Sequence, residues 1–259
     1  MSGLAEMLRA DGFDVSGSDT ADGYAMERLR ALGVDARVGH QPGMVAGAGL
    51  LAYSAAISPD DPERLEARRL GIPSLERAEL LGEMMRGYPQ SVCVCGTHGK
   101  TTTTAMLAQA YTEMGLDPSV HLGGTLDAIG GGVRQGNGGI FIAEACEFNR
   151  SFLHMPVTVA LVLNIEEDHL DCYGDMEHVE EAYLQFLELL PDEGIAVVNG
   201  GDRRVRNVVS RLEGKNRRVL TFGDGGAFDY TFSGLRMDAM KNPVFTALFR
   251  GEPIAGVRL

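Results

Sequence analysis

Residues 91–104 read Ser-Val-Cys-Val-Cys-Gly-Thr-His-Gly-Lys-Thr-Thr-Thr-Thr: an apolar run enters a glycine-bounded turn, ends in Lys-Thr and leads into a helix pattern. Val92 to Cys95 predict a buried strand, and Thr104-Ala-Met-Leu-Ala-Gln-Ala-Tyr carries helical periodicity. Gly96 and Gly99 free the backbone to turn its N–H groups toward phosphate oxygens, at the positive end of the following helix. In such a cradle Lys100 neutralises the β- and γ-phosphates and the Thr101 hydroxyl ligates Mg²⁺. The loop is a short variant. The common phosphate loop has four residues between its glycines, whereas only Thr97 and His98 separate Gly96 from Gly99. An ordinary glycine turn joining strand to helix is the competing reading.

Upstream, residues 1–88 alternate helix and strand patterns. Leu4–Ala10 and Tyr24–Leu32 read as helices; Phe13-Asp-Val-Ser-Gly-Ser-Asp19 and Leu50-Leu-Ala-Tyr-Ser54 read as strands. Alternation of this kind predicts a parallel α/β sheet. Gly87-Tyr-Pro-Gln interrupts it and sets the expected boundary at residue 88. Downstream, strands are expected over 139–143, 157–163, 194–198 and 218–222, and helices over 178–190 and 203–212. The arginines 203, 204, 206 and 211 fit a solvated helix face.

The chain of 259 residues holds 23 Lys and Arg against 36 Asp and Glu, a net charge of −13. That argues against binding a nucleic-acid backbone, so any bound nucleotide is a small molecule in a local site. The four cysteines are scattered, and Cys93 and Cys95 alternate with valine as core residues do. There is no signal sequence and no apolar stretch of membrane-spanning length, so a cytoplasmic protein without membrane contact is expected.

Two clusters fall where a phosphate site needs them. Glu144 ends the strand Ile140-Phe-Ile-Ala, and Asp168-His169 follows the strand that closes in Leu163-Asn-Ile. Ligands gather at the carboxyl ends of parallel strands, so a carboxylate and an imidazole at neighbouring ends can complete a Mg²⁺ site with Thr101. Taken singly, Glu144 also reads as a helix-capping carboxylate and His169 as a hydrogen-bonded loop histidine.

Gly96-Thr-His-Gly-Lys-Thr-Thr-Thr, Glu144-Ala-Cys-Glu-Phe-Asn-Arg-Ser-Phe-Leu153 and Asn164-Ile-Glu-Glu-Asp-His-Leu-Asp171 together resemble the Mur ligase family, and within it the alanine-adding member. Ser2-Gly-Leu-Ala-Glu, Ser16-Gly-Ser-Asp19, Gly39-His40, Tyr53-Ser-Ala-Ala-Ile57 and Arg77-Ala-Glu-Leu-Leu81 resemble the N-terminal domain of the same enzymes. Members that add later amino acids typically carry a modified lysine beyond the Asp-His pair, and no lysine lies between Lys100 and Lys215.

The resemblance implies an incomplete Rossmann-like domain over 1–88 that binds a UDP-sugar, followed by a phosphate-loop central domain with a parallel sheet over 89–259. The pyrophosphate-binding glycine turn and its strand, the adenine-contacting segment and the amino-acid-binding domain are expected to be missing, so the stretch on its own is expected to be inactive. It implies an ATP-dependent ligase that joins L-alanine to the lactyl carboxylate of UDP-N-acetylmuramate through an acyl phosphate, in peptidoglycan precursor synthesis. Gly96, Thr97, His98, Gly99, Lys100, Thr101 and Thr102 are then the ATP contacts, and Thr101, Glu144 and His169 the metal ligands. Lys100, Glu144 and His169 carry catalysis, and Ser18, Asp19, Ser54 and Ala55 contact the UDP-substrate. Many relatives have Asp at the place of Cys146 and Ser-Asp at that of Phe148-Asn149. Three other readings stay open: a ligase that recycles whole peptides, a phosphate-loop NTPase or kinase, and a nucleotide-binding piece without catalysis.

Overall fold

The computed structural model describes residues 1–126, 129–212 and 217–259. They form two compact units. One comprises Met1–Pro89 with Ala105–Ala143, the other Gln90–Thr104 with Glu144–Leu259, so the chain passes from one to the other after Pro89, Thr104 and Ala143.

Along the first stretch run α1 (Ser2–Ala10), β1 (Ser16–Asp19), α2 (Tyr24–Ala31), β2 (Asp35–Val38), β3 (Leu51–Tyr53), α3 (Pro62–Leu70), β4 (Ser74–Glu76) and α4 (Arg77–Met85). Helix α3 is locally specified at both ends. The Asp61 carboxylate accepts from the Glu63 and Arg64 amides, Pro62 opens the first turn, and Gly71 closes the helix at φ 68°. α4 opens on a reciprocal box between Glu76 and Glu79. β1 pairs in parallel with β2, and β3 with β4, in two-stranded sheets. The expected strand from Phe13 begins only at Ser16, because Phe13 caps the turn after α1 by donating its amide to Leu8 and leaves its ring exposed.

Next come β5 (Gln90–Cys95), α5 (Lys100–Glu113), β6 (Ser119–Leu126), β7 (Gly131–Arg134) and β8 (Ile140–Glu144). β6 pairs in parallel with β8 and antiparallel with β7. Helix α5 begins four residues earlier than its apolar periodicity suggests, at Lys100, and tolerates its threonines because Thr104 and Thr112 return their hydroxyls to the carbonyls of Lys100 and Ala108.

The remainder supplies β9 (Val159–Val162), the single turn α6 (Leu170–Tyr173), α7 (Met176–Glu188), β10 (Ile195–Asn199), α8 (Arg203–Ser210), β11 (Arg218–Phe222), β12 (Tyr230–Met237), β13 (Pro243–Phe249) and β14 (Glu252–Arg258). β9 lies between β5 and β10, parallel to both, and β11 continues parallel to β10. These strands are the Val-rich, doubly covered kind, and Val92 to Cys95 are wholly buried. From β12 onward the chain departs from the expected parallel sheet and turns back on itself as an antiparallel meander, β12-β13-β14. Phe152, stacked on Phe186 and edge-on to Tyr183, fills the space beneath α7. No helix among the described residues is long and apolar enough to cross a membrane.

Candidate active site

The quoted stretch folds as strand, loop and helix. Gly96 sits at φ 141° and Gly99 at φ 85°, conformations that side chains rarely adopt. A Cβ on Gly96 would lie 3.0 Å from the Leu163 Cβ and 3.1 Å from the Asn164 nitrogen, so the loop is drawn against the end of β9. Asn164 fastens it there. Its side-chain oxygen accepts from the His98 amide at 2.8 Å, its side-chain nitrogen donates to the His98 carbonyl at 3.0 Å, and its own carbonyl accepts from Thr97 at 3.2 Å. The Thr97 hydroxyl in turn accepts from the Glu166 amide at 2.9 Å. Thr97 and His98 thus spend their amides on Asn164, and the amides aimed outward are those of the first turn of α5, where Gly99, Lys100, Thr101 and Thr102 stand.

The Thr101 hydroxyl donates to the Glu144 carboxylate at 2.9 Å, joining the first turn of α5 to the end of β8. Lys100 points back into the loop: its ammonium donates to the Gly96 carbonyl at 2.6 Å and the Thr97 carbonyl at 3.3 Å. It also lies 3.0 and 2.9 Å from the two oxygens of Glu147, whose side chain is only 4% exposed. His169 joins the same carboxylate, with Nε2 at 3.8 Å from Glu147 and Nδ1 at 3.6 Å from Asp168. The Phe148 ring stands edge-on to the imidazole, with centroids 5.0 Å apart. Asn149, Arg150 and His169 all have left-handed backbones, at φ 51°, 55° and 53°. Three such residues in one site mark stored strain.

Glu147 is the residue that sequence reasoning passed over, although it stands three places after Glu144 inside a quoted motif. Asn164, at the head of the segment Asn164–Asp171, is just as silent in the sequence. An amide that reaches two main-chain groups in another loop leaves no trace in local periodicity.

The oxygens of Thr101 and Glu144 are hard donors of the kind Mg²⁺ prefers, and ligand atoms of Glu147, Asp168 and His169 lie within 4.8 Å of one another. The donor chemistry fits a divalent cation. Cys93 and Cys95 lie in the core under the loop, and burial pushes the Cys93 thiol up to about 12 and Cys95 well above its ordinary value. Neither is poised to be a thiolate.

In the other unit, Ser18 lies on β1 and its hydroxyl donates to Glu63 at 2.6 Å, with His40 Nδ1 at 3.3 Å from the same oxygen. Asp19 ends that strand and accepts from the Ala21 amide at 3.2 Å. Ser54 follows β3, its hydroxyl accepting from Ala56 at 3.3 Å, and Ala55 beside it is exposed. All four stand at the carboxyl ends of parallel strands.

The sequence matches the family profile described as Mur ligase middle domain over residues 94–247, and that described as Mur ligase family, catalytic domain over residues 1–89. The chain belongs to the Mur ligase family. Among similar curated Mur ligases, the UDP-N-acetylmuramate–L-alanine ligase of Acetivibrio thermocellus is 43% identical over 100% of this chain and 55% of its own length. The crystal structure of UDP-N-acetylmuramate:L-alanyl-gamma-D-glutamyl-meso-diaminopimelate ligase from Neisseria meningitides superposes with a TM-score of 0.87 at 26% identity, covering 100% of this chain and 83% of that one. UDP-N-acetylmuramate-alanine ligase from Thermotoga maritima gives a TM-score of 0.84 at 25% identity, over 100% of this chain and 57% of that one. The chain spans about half the length of the curated relatives it matches.

Proposed function

We propose that this Mur ligase activates the lactyl carboxylate of UDP-N-acetylmuramate with ATP and passes it to the amine of L-alanine, a cytoplasmic step of peptidoglycan precursor synthesis. The observation that carries the reading is the Thr101–Glu144 bond at 2.9 Å beside the glycine loop, in a chain whose 43%-identical relative is named for that reaction. Residues 1–88 hold the UDP-sugar, with Ser18, Asp19, Ser54 and Ala55 as contacts. Residues 89–259 hold the nucleotide, with Gly96 to Thr102 around the phosphates.

A carboxylate is a poor acylating agent, and phosphorylation converts it into a mixed anhydride that an amine can attack. The first turn of α5 presents its amides to the phosphates, and Lys100 supplies a fixed cation to the transferred group. Thr101 and Glu144 would hold Mg²⁺, with His169 on a second cation, and ions bound there would offset the charge of two approaching anions. The loop clamped by Asn164 keeps the donors in place before the nucleotide arrives, so their orientation costs nothing during reaction.

Hydroxylamine offered in place of alanine tests the central step, because it traps an acyl phosphate as a hydroxamate. In a version of the enzyme as long as its relatives, incubation with MgATP and UDP-N-acetylmuramate should give the hydroxamate of the sugar nucleotide, and Glu144→Gln should lower its yield ~10²-fold, as loss of a preorganised electrostatic group does. Equal yields from the two chains would remove Glu144 from the reaction. A second reading draws on the Neisseria structure, whose named substrate is a peptide. Competition between L-alanine and that tripeptide, read by mass spectrometry, separates the two.

A further inference from the structure

Glu147 is 3% exposed, and its carboxylate faces two groups of the nucleotide site, the Lys100 ammonium and the His169 ring. Its main chain is immobilised. The Tyr173 hydroxyl and the Arg150 amide both donate to its carbonyl, and the next turn is locked by the left-handed Asn149 and Arg150. The carboxylate can therefore follow the lysine only by swinging its own side chain, not by a shift of the backbone. Lys100 is meanwhile bound by the Gly96 and Thr97 carbonyls on its other side. The ammonium on which the phosphates depend is stored inside the loop as half of a neutral pair, in a place where an isolated charge of either sign is costly.

We propose that Glu147 is a positioning residue that fixes Lys100 in the loop and competes with the incoming triphosphate for it. The proposal rests on the nucleotide reading above. A triphosphate has to share or take the ammonium, and it approaches a carboxylate anchored on a fixed backbone. Glu147 thereby weakens nucleotide binding while it aligns the lysine, a combination that a purely structural carboxylate would not produce.

The test uses the full chain. Glu147→Gln keeps the shape and removes the charge, so MgATP should bind about tenfold tighter by calorimetry, since a like charge a few ångströms from the phosphates is gone. Without nucleotide, Lys100 should acylate at least about fivefold faster with an amine-reactive ester, read by mass spectrometry, because a side chain no longer held against the carboxylate swings out to the reagent. A folded Glu147→Gln chain with unchanged affinity and unchanged labelling overturns the proposal. If that variant does not fold, Lys100→Met and Lys100→Met/Glu147→Gln are compared by thermal unfolding. The single change, which strands Glu147, should unfold at the lower temperature, and an equal or lower midpoint for the double change overturns the pairing. If MgATP neither binds the unaltered chain nor shields Lys100 from acylation, the nucleotide reading falls and the competition with it, while the labelling and unfolding data still decide whether Glu147 holds Lys100.

Discussion

Gly96 and Asn164 divide the work of shaping the loop, and each can be tested alone. A methyl group on Gly96 meets Leu163 and Asn164 at 3.0–3.2 Å and strains a backbone at φ 141°, so Gly96→Ala should cost about 2–3 kcal/mol of stability in denaturant unfolding. Asn164→Ala leaves the His98 amide and carbonyl without their side-chain partner. About 1–2 kcal/mol of stability should be lost, and MgATP should bind about tenfold more weakly as the loop loosens. Asn164→Asp keeps the acceptor and loses the donor, and should fall between. An Asn164→Ala chain with wild-type affinity would show that the loop holds its shape unaided. At this scale the sequence was partly legible: the glycines announced a tight turn between strand and helix, and the structure has it. Asn164 and Glu147 did not announce themselves, because each acts through a partner 66 or 47 residues away, a distance no local pattern encodes.

Among the elements, β6 carries a titratable group in a setting that couples it to pH. Burial, and then the Arg77 guanidinium 3.4 Å from Nε2, lower His121 from its ordinary 6.5 to about 4, and its enclosed Nδ1 meets no hydrogen-bond partner among the described residues. The unfolded chain takes up this proton at the ordinary value and the folded chain only near the lowered one. Its contribution to stability is therefore complete above about pH 6.5 and is lost as the pH falls toward 4, by up to about 3 kcal/mol. Urea unfolding at pH 7 and pH 5 should show that decline, and His121→Gln should flatten it. Elements with doubly buried apolar runs, such as β5 and β9, were written plainly in the sequence, whereas α3 was passed over although Asp61-Pro62 and Gly71 mark its two ends. β2 and β4 were not. Asp-Ala-Arg-Val buries only Ala36, and Ser-Leu-Glu buries no residue fully, so neither shows an apolar period. The meander from β12 to β14 hides for a related reason: β13 is half-buried at every position and β14 is almost wholly exposed, so neither alternates.

At the scale of the molecule, a net charge of −13 sets the terms on which a polyanion is received. Free ATP should be repelled, and chelating the divalent cation should weaken nucleotide binding by more than about tenfold. Raising salt from about 50 to 200 mM should leave the MgATP association rate unchanged or slightly faster, since screening relieves repulsion between like charges. Stopped-flow mixing measures it, and a steep fall with salt would contradict this picture.

The first compact unit is discontinuous: residues 105–143 return to residues 1–89 after the chain has left them. Gly3 in α1 has no room for a side chain against Val133 of β7, where a Cβ would lie 2.5 Å from a methyl group, and Tyr88 packs edge-on to Phe141 of β8. A chimera that exchanges residues 1–89 with those of a relative would therefore set a foreign helix against a resident strand fitted to another partner. Recombination should preserve folding only where both stretches are inherited together, so the gene cannot be shuffled as two cassettes cut at a single point.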